Sequence, residues 1–295
     1  MIIVKLTGGI GNQMFQYAAA RRIAYVNNTQ LRLDLNWFNE VGLWTNRKYE
    51  LEAFNVVGEI ATPSDILALK TRKQNPLSRR LPNFLKKIVF HTNQTHIIEK
   101  YFSFDPAILN VKNNVYLDGY WQSEKYFIDI EQIIRREFTF KTDPTERNRQ
   151  ESNVITSSEA VAVHVRRGDY VTLAQANTFH GLCPPEYYRS AADKIAKQIN
   201  KPVFFVFSDD IAWVKDNVKL DYETVFIDHN DPDQGYEDLR LMSLCKHHII
   251  ANSSFSWWGA WLNSSPHKIV IAPRIWFQKA SQDTRDLIPP TWIRL

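Results

Sequence analysis

Apolar and polar positions alternate along the chain in blocks that read strand, helix, strand, helix. Ile2–Leu6 is a short apolar strand, and Phe15, Ala19, Ile23 and Val26 fall on one face of a helix over Met14–Val26. Leu31–Leu35 reads as a second strand. A less regular stretch runs to about Gln122, and a helix rich in Ile and aromatics is expected over Lys125–Phe140. Lys141–Asn153 is polar throughout and carries Pro144, which marks it as the expected domain boundary. Beyond it the alternation strengthens. Ala160–Val165 and Val203–Phe207 are strands of the fully buried type, and shorter ones are expected over Thr224–Ile227, His248–Ala251 and Lys268–Ala272. Between them lie helical patterns over Pro185–Ile199, Trp213–Val218, Gly235–Cys245 and a Trp-rich segment ending near Leu262. Repeated βα units predict an α/β fold with parallel sheets, in which ligands bind at the carboxyl ends of the strands.

Composition narrows the class. In 295 residues, 44% are hydrophobic, 23% charged and 13% aromatic, so the chain is globular and large enough for two domains. No apolar run approaches a membrane span, and Met1–Leu6 lacks the basic start of a signal peptide. Cys183 and Cys245 are too few for a disulfide framework and have no metal-like spacing, so they read as reduced thiols of a cytosolic protein. The net charge of +4 comes from one place. Between Ile66 and Ile98 there are seven basic residues and no acidic one; the rest of the chain has 29 basic against 32 acidic groups. A nucleic-acid footprint is therefore not expected. Within that segment Leu81, Phe84, Leu85, Ile88 and Val89 form one helical face beside Arg80, Lys86 and Lys87. Such a helix either packs on its own domain with its basic face solvated, or rests on an anionic membrane surface as a weak peripheral contact.

Four constellations carry chemistry. Gly8, Gly9 and Gly11 lie between the first strand and the first helix, where glycine lets the backbone turn and a ligand approach the helix N-terminus. Gly9-x-Gly11 with Asp34 approaches a dinucleotide fingerprint, but Met14 stands where its third glycine belongs. His164-Val165-Arg166-Arg167-Gly168-Asp169-Tyr170 follows a buried strand, with His164 and Arg166 on one face. A guanidinium fork there suits a diphosphate, although Arg167 could instead pair with a carboxylate such as Asp169. Asp209 and Asp210 follow another strand, where they could cap a helix, hold a metal or orient sugar hydroxyls. Asp231-Pro232-Asp233 reads as a turn. Finally, Asp238 lies in a helix, and Asn252-Ser253-Ser254-Phe255-Ser256 forms a strand-to-helix turn able to offer N–H and hydroxyl donors to phosphate. His247 and His248 diverge on a strand and read as structural.

GGIGNQMFQY (Gly8–Tyr17), HVRRGDY, FSDD and NSSFSWWGAW, in this order, resemble the α-1,2-fucosyltransferase family over nearly the whole chain, most weakly at about 40–110. The HxRRxD form is shared with α-1,6- and protein O-fucosyltransferases; NQMFQYA and NSSFSWW are particular to the α-1,2 group. The resemblance implies a B-type glycosyltransferase fold with two Rossmann-like domains and GDP-fucose between them, inversion at the fucose carbon, a galactoside acceptor, and no metal or other cofactor. The domains would be 1–150, mainly on the acceptor side, and 151–295, binding GDP-fucose, with the last helix free to pack back on the first. Arg166 and Ser254 would contact the β-phosphate, His164 would lie near the nucleoside, and Asp238 would accept from guanine N1 and N2. Arg167, Asp209, Asp210, Asn252, Ser253, Phe255 and Ser256 complete the expected donor side. Gly9, Gly11, Asn12 and Gln13 would face fucose or the acceptor hydroxyl, with Asn12 counted as catalytic beside Arg166. Asp169 is the expected general base, because it follows the arginine pair. Two rivals are an NAD(P)-dependent oxidoreductase, resting on Gly9-x-Gly11 and Asp34, and a carbohydrate-binding protein without catalysis. Neither explains the arginine pair at the end of a buried strand.

Overall fold

The computed structural model describes residues 1–39, 47–70, 95–172, 174–278 and 282–295. They divide into two units, Met1–Phe138 and Thr139–Leu295. The helix expected over Leu81–Val89, and with it most of the basic segment, lies outside the described residues. Among those described, no helix is long and apolar enough to cross a membrane.

In the first unit β1 (Ile2–Lys5) leads through the glycine turn into α1 (Ile10–Val26). There follow β2 (Leu31–Asp34), β3 (Glu59–Ile60), α2 (Pro63–Lys70), β4 (His96–Ile98), β5 (Val115–Asp118) and α3 (Glu131–Glu137). All five strands are parallel, in the order β3-β2-β1-β5-β4. The chain thus builds outward from β1 on one side and returns on the other, so the strand order reverses between β1 and β5. Helix α1 starts at Ile10 rather than Met14, because the turn itself becomes its first turn. Gly8 takes a left-handed φ of +73° and Gly9 is the extended N-cap. Ala18, Ala19 and Ala20 carry it forward as strong helix formers and are buried. The helix expected over Lys125–Phe140 is broken. Two 3-10 turns, Glu124–Tyr126 and Ile128–Ile130, precede α3, with the fully buried Phe127 at their junction.

The second unit holds α4 (Glu146–Ser157), β6 (Glu159–Val165), α5 (Gly168–Thr172), α6 (Ala174–His180), α7 (Pro185–Ala196) and β7 (Pro202–Ser208). After these come α8 (Ile211–Asn217), β8 (Thr224–Ile227), α9 (Gly235–Leu244), β9 (His247–Ile249), α10 (Ser254–Leu262), β10 (Val270–Ala272) and β11 (Ile293–Arg294). Its six parallel strands run β11-β10-β9-β6-β7-β8. On β6 the side chains alternate between two cores. Val161, Val163 and Val165 pack with Tyr187, Tyr188 and Ile195 of α7, whereas Ala160 and Ala162 pack with Leu241 and Met242 of α9. Trp257, Trp258 and Trp261 are all buried in mutual ring contact, so the Trp-rich helix is core from Ser256 to Trp261.

The expected boundary is corrected. The division falls after Phe138, not at 150, and most of the polar Lys141–Asn153 stretch is helix or its approach. Thr145 caps α4 by accepting from the Asn148 N–H at 3.3 Å, and Ile155 is fully buried against the α9 side of the sheet. A polar helix with one deep apolar anchor reads as a linker in sequence.

Candidate active site

The strand order of the second sheet reverses at β6, between β9 and β7. The carboxyl ends of β6 and β9 flank that switch point, which is where doubly wound sheets bind ligands. The loops leaving these two strands are the HVRRGDY and ANSSF segments, so the fold brings together two of the sequence constellations. His164 closes the contact: its ring lies 5.2 Å from that of Phe255. Tyr170 adds a second tie, donating from its hydroxyl to the Asn252 carbonyl at 3.3 Å.

Arg166 pairs through Nη1 with Asp209 Oδ2 at 2.8 Å, and its guanidinium lies over the Tyr170 ring. Asp209 Oδ1 accepts from the Arg167 backbone N–H at 2.8 Å. The same carboxylate presses on Gly168, where a Cβ would overlap Oδ2. Asp209 therefore fixes the arginine fork and the turn that carries it. Asp210 accepts from Arg167 Nε at 3.0 Å and from the Trp213 N–H at 3.3 Å, so it caps α8 and holds Arg167, whose guanidinium stacks 3.5 Å from the Trp213 ring centre. Of the expected donor-side residues, Asp209, Asp210 and Arg167 thus have positioning partners: the two carboxylates pair with the two arginines. Arg167 finds its carboxylate in Asp210. Asp169 is the second residue of α5, and its side chain lies outside what is described.

On the β9 side, Ser253 is the N-cap of α10 and makes no side-chain capping bond. Ser254 and Phe255 open the helix, whose first-turn N–H groups and dipole favour an anion. Two of the expected donor-side residues are engaged in the turn itself. Asn252 is buried and donates to the carbonyls of His180, Gly181 and Trp276 at 2.9, 3.3 and 3.2 Å, so its amide clamps neighbouring loops. Ser256 is fully buried, with its hydroxyl donating to Ser253 O at 3.2 Å. Both shape the turn through bonds to backbone carbonyls.

His164 is buried, and its Nδ1 has no hydrogen-bond partner among the described residues. Burial, and then the Arg166 charge, pushes the imidazole down to about 3, so the ring is neutral at physiological pH. Near the end of β8 a polar network surrounds Asp238. Asn230 Nδ2 donates to Asp238 Oδ1 at 2.8 Å, and Asn148 Nδ2 donates to Asn230 Oδ1 at 2.8 Å and to Glu237 at 3.2 Å. His229 Nε2 lies 2.7 Å from Asn148 Oδ1, and Glu237 is buried against Arg240. Burial raises the Asp238 carboxyl to about 6, against the lowering effect of the Asn230 bond. Sequence reading missed Asn148, His229 and Asn230, because Asn148 lies in the stretch read as a boundary.

In the first unit, Gly9 and Gly11 build the turn after β1. Asn12 Oδ1 accepts from Gln122 Nε2 at 2.8 Å. Gln13 is fully buried and bonds Gly8 O, Lys48 O and the Glu50 N–H, so it braces the turn from within. Asp34, offered as a ribose ligand by the oxidoreductase rival, is buried and accepts from the Tyr116 hydroxyl at 2.6 Å and the Asn36 N–H at 3.0 Å.

The sequence profile of glycosyl transferase family 11 matches residues 1–295. The chain belongs to glycosyl transferase family 11. This is the α-1,2-fucosyltransferase family that the motifs resemble. An Escherichia coli protein named alpha-1,2-colitosyltransferase is 34% identical over 312 residues, covering 100% of this chain and 99% of the relative. The E. coli O-antigen biosynthesis glycosyltransferase WbnK is 33% identical over 305 residues, covering 98% and 99%. Among solved structures, an Arabidopsis thaliana FUT1 mutant in complex with GDP matches with a TM-score of 0.50 at 9% identity, covering 91% of this chain and 69% of that one. That likeness concerns the fold: the family 11 chain has the two Rossmann-like α/β units of a B-type glycosyltransferase. Family membership removes both the oxidoreductase and the non-catalytic rival.

Proposed function

We propose that this family 11 glycosyltransferase moves L-fucose from GDP-β-L-fucose to the 2-hydroxyl of a terminal β-galactoside, with inversion and without a metal. The observation that carries the reading is that Arg166, after β6, and the Ser253–Phe255 helix start, after β9, flank the switch point of the second sheet. Breaking the sugar–phosphate bond builds positive charge on the sugar and negative charge on the departing GDP. A fixed guanidinium and oriented N–H groups stabilise that negative charge as it forms. Asp238 supplies guanine selectivity, since an ionised carboxylate accepts two parallel N–H bonds from the guanine N1–N2 edge and adenine has no such pair. Asp169 takes the acceptor proton. On this reading Asp169→Asn lowers kcat by orders of magnitude with little change in donor affinity, because a base acts in the transition state. A parallel loss of donor affinity in steady-state kinetics would make Asp169 a structural residue.

A second donor is favoured by a specific finding, the 34% identity to an α-1,2-colitosyltransferase. Colitose is L-fucose without its 3-hydroxyl, so the same diphosphate and guanine contacts serve both. The deciding assay incubates the chain with a β-galactoside and either GDP-fucose or GDP-colitose, with and without excess EDTA. Product from GDP-fucose that survives EDTA supports the proposal. Product from GDP-colitose alone shifts the donor, and loss on chelation restored by Mn²⁺ overturns the metal-free step.

The Asp238 assignment has a pH signature. A carboxyl that titrates at about 6 is ionised above that pH and protonated below it. Affinity for GDP-fucose, whose esterified diphosphate does not titrate there, should be flat above pH 7. It should weaken as pH falls, approaching roughly tenfold per unit if the protonated form rejects guanine. Calorimetric titrations from pH 5 to 8 check this, and Asp238→Asn should flatten the profile at low affinity.

A further inference from the structure

The first unit has its own switch point, between β1 and β5. Because its strands are parallel, the segments after β1, β4 and β5 share one edge of the sheet. Those segments are Leu6–Asn12, Glu99 and Gly119–Gln122. Glu99 accepts from the backbone N–H groups of Tyr120 and Trp121 at 2.7 and 3.0 Å. No lysine or arginine among the described residues pairs with it, and burial raises its carboxyl to about 7. Gly119 makes room: a Cβ there would overlap Glu99 Cβ and lie 3.0 Å from both Glu99 Oε2 and Trp121 Cε2. Trp121 holds a left-handed φ of +56°, a conformation that is strained for a bulky residue. Its ring is buried, and the indole N–H has no hydrogen-bond partner among the described residues. Next to it Tyr120 is 45% exposed. Gln122 then reaches Asn12 across the switch point.

Each of these features is unfavourable for folding alone: a carboxylate without a cation, a strained Trp and an orphaned indole N–H. Local rules broken together at the carboxyl edge of a parallel sheet mark a ligand site. We propose that this edge binds a neutral pyranoside, with Glu99 accepting a hydrogen bond from a sugar hydroxyl and Tyr120 lying against the sugar's apolar face. Each Glu99 oxygen accepts one backbone bond and retains a lone pair for a hydroxyl. A Tyr offers an apolar ring face with a polar tip, which matches a pyranose. The carboxylate repels anions, which separates this edge from the phosphate-binding one of the second unit. The inference rests on the glycoside-accepting transferase reading and names the acceptor side of it.

The test uses the full chain and methyl β-galactoside. Saturation-transfer NMR reads sugar binding, acceptor KM reads the same contact in turnover, and GDP titration of each sample reads the second unit. Tyr120→Ala, at an exposed side chain, and Glu99→Gln should each raise acceptor KM at least tenfold, with GDP affinity kept. Wild-type sugar affinity should rise with pH through about 7 as Glu99 ionises. That step should vanish in Glu99→Gln, while the other groups near the edge, Lys5, Asp118, His96 and the Tyr120 phenol, remain. Acceptor KM and sugar binding unchanged in Tyr120→Ala, or an unchanged pH step in Glu99→Gln, overturns the proposal even if fucose is transferred. If Glu99→Gln does not fold, Tyr120→Ala and the wild-type pH profile decide. Galactoside binding that depends on both residues in a chain that transfers neither sugar would leave this site standing and remove the transferase reading.

Discussion

Arg166→Ala is expected to lower kcat/KM by about a thousandfold, equivalent to about 4 kcal/mol of transition-state stabilisation, and to weaken GDP binding in parallel. Arg166 is the cation that β6 delivers to the switch point, and Asp209 holds its plane. Arg166→Lys restores charge without the fork, so it should recover only part of the loss. Steady-state kinetics with a matched GDP titration checks both variants. Turnover of the Lys variant close to wild type would remove the bidentate role and leave a simple charge effect.

Gly168→Ala is expected to be nearly as damaging although the added group is one methyl. Its Cβ would occupy the place of Asp209 Oδ2. That oxygen is not a loose end, because the same carboxylate is pinned by Arg166 and by the Arg167 N–H. Something must shift, and the piece tied to it is the arginine fork. A displacement of about 1 Å at a positioning contact costs on the order of a hundredfold in rate. The overall fold should persist, because Gly168, at the start of the short helix α5, lies outside both cores of the second unit. Kinetics and thermal melting on the same sample separate these effects. A melt like wild type with a large loss of kcat/KM is expected, and full activity would show that Asp209 does not set the fork.

The second unit was largely legible in the sequence. Its central strands are runs such as Val203–Phe207, which only a sheet covered on both faces can bury, and each ends in a polar constellation. The division of labour inside those constellations was not legible. Asn252, Ser256 and Gln13 have the chemistry of ligand contacts, yet they satisfy backbone groups: Ser256 with Ser253 in its own turn, Asn252 with Trp276 and Gln13 with Lys48 and Glu50 in distant segments. Pattern along a chain cannot show where a side chain's hydrogen bonds go when the partner is 24 or 37 positions away. Asn148 was hidden for the opposite reason, in a helix too polar to show an apolar face. Glu99 and Trp121 gave no sign either, because a left-handed Trp and a half-buried acid without a cation become visible only once β4 and β5 are paired.

The central claim is that the carboxyl edge of the second sheet holds a guanosine diphosphate sugar. Calorimetric titration of the chain with GDP, ADP and NAD, repeated in Arg166→Ala, tests it most directly. The account predicts one GDP site, much weaker ADP, no NAD binding, and loss of the GDP signal in the variant. Equal affinity for GDP and ADP, or GDP binding untouched by Arg166→Ala, would contradict it.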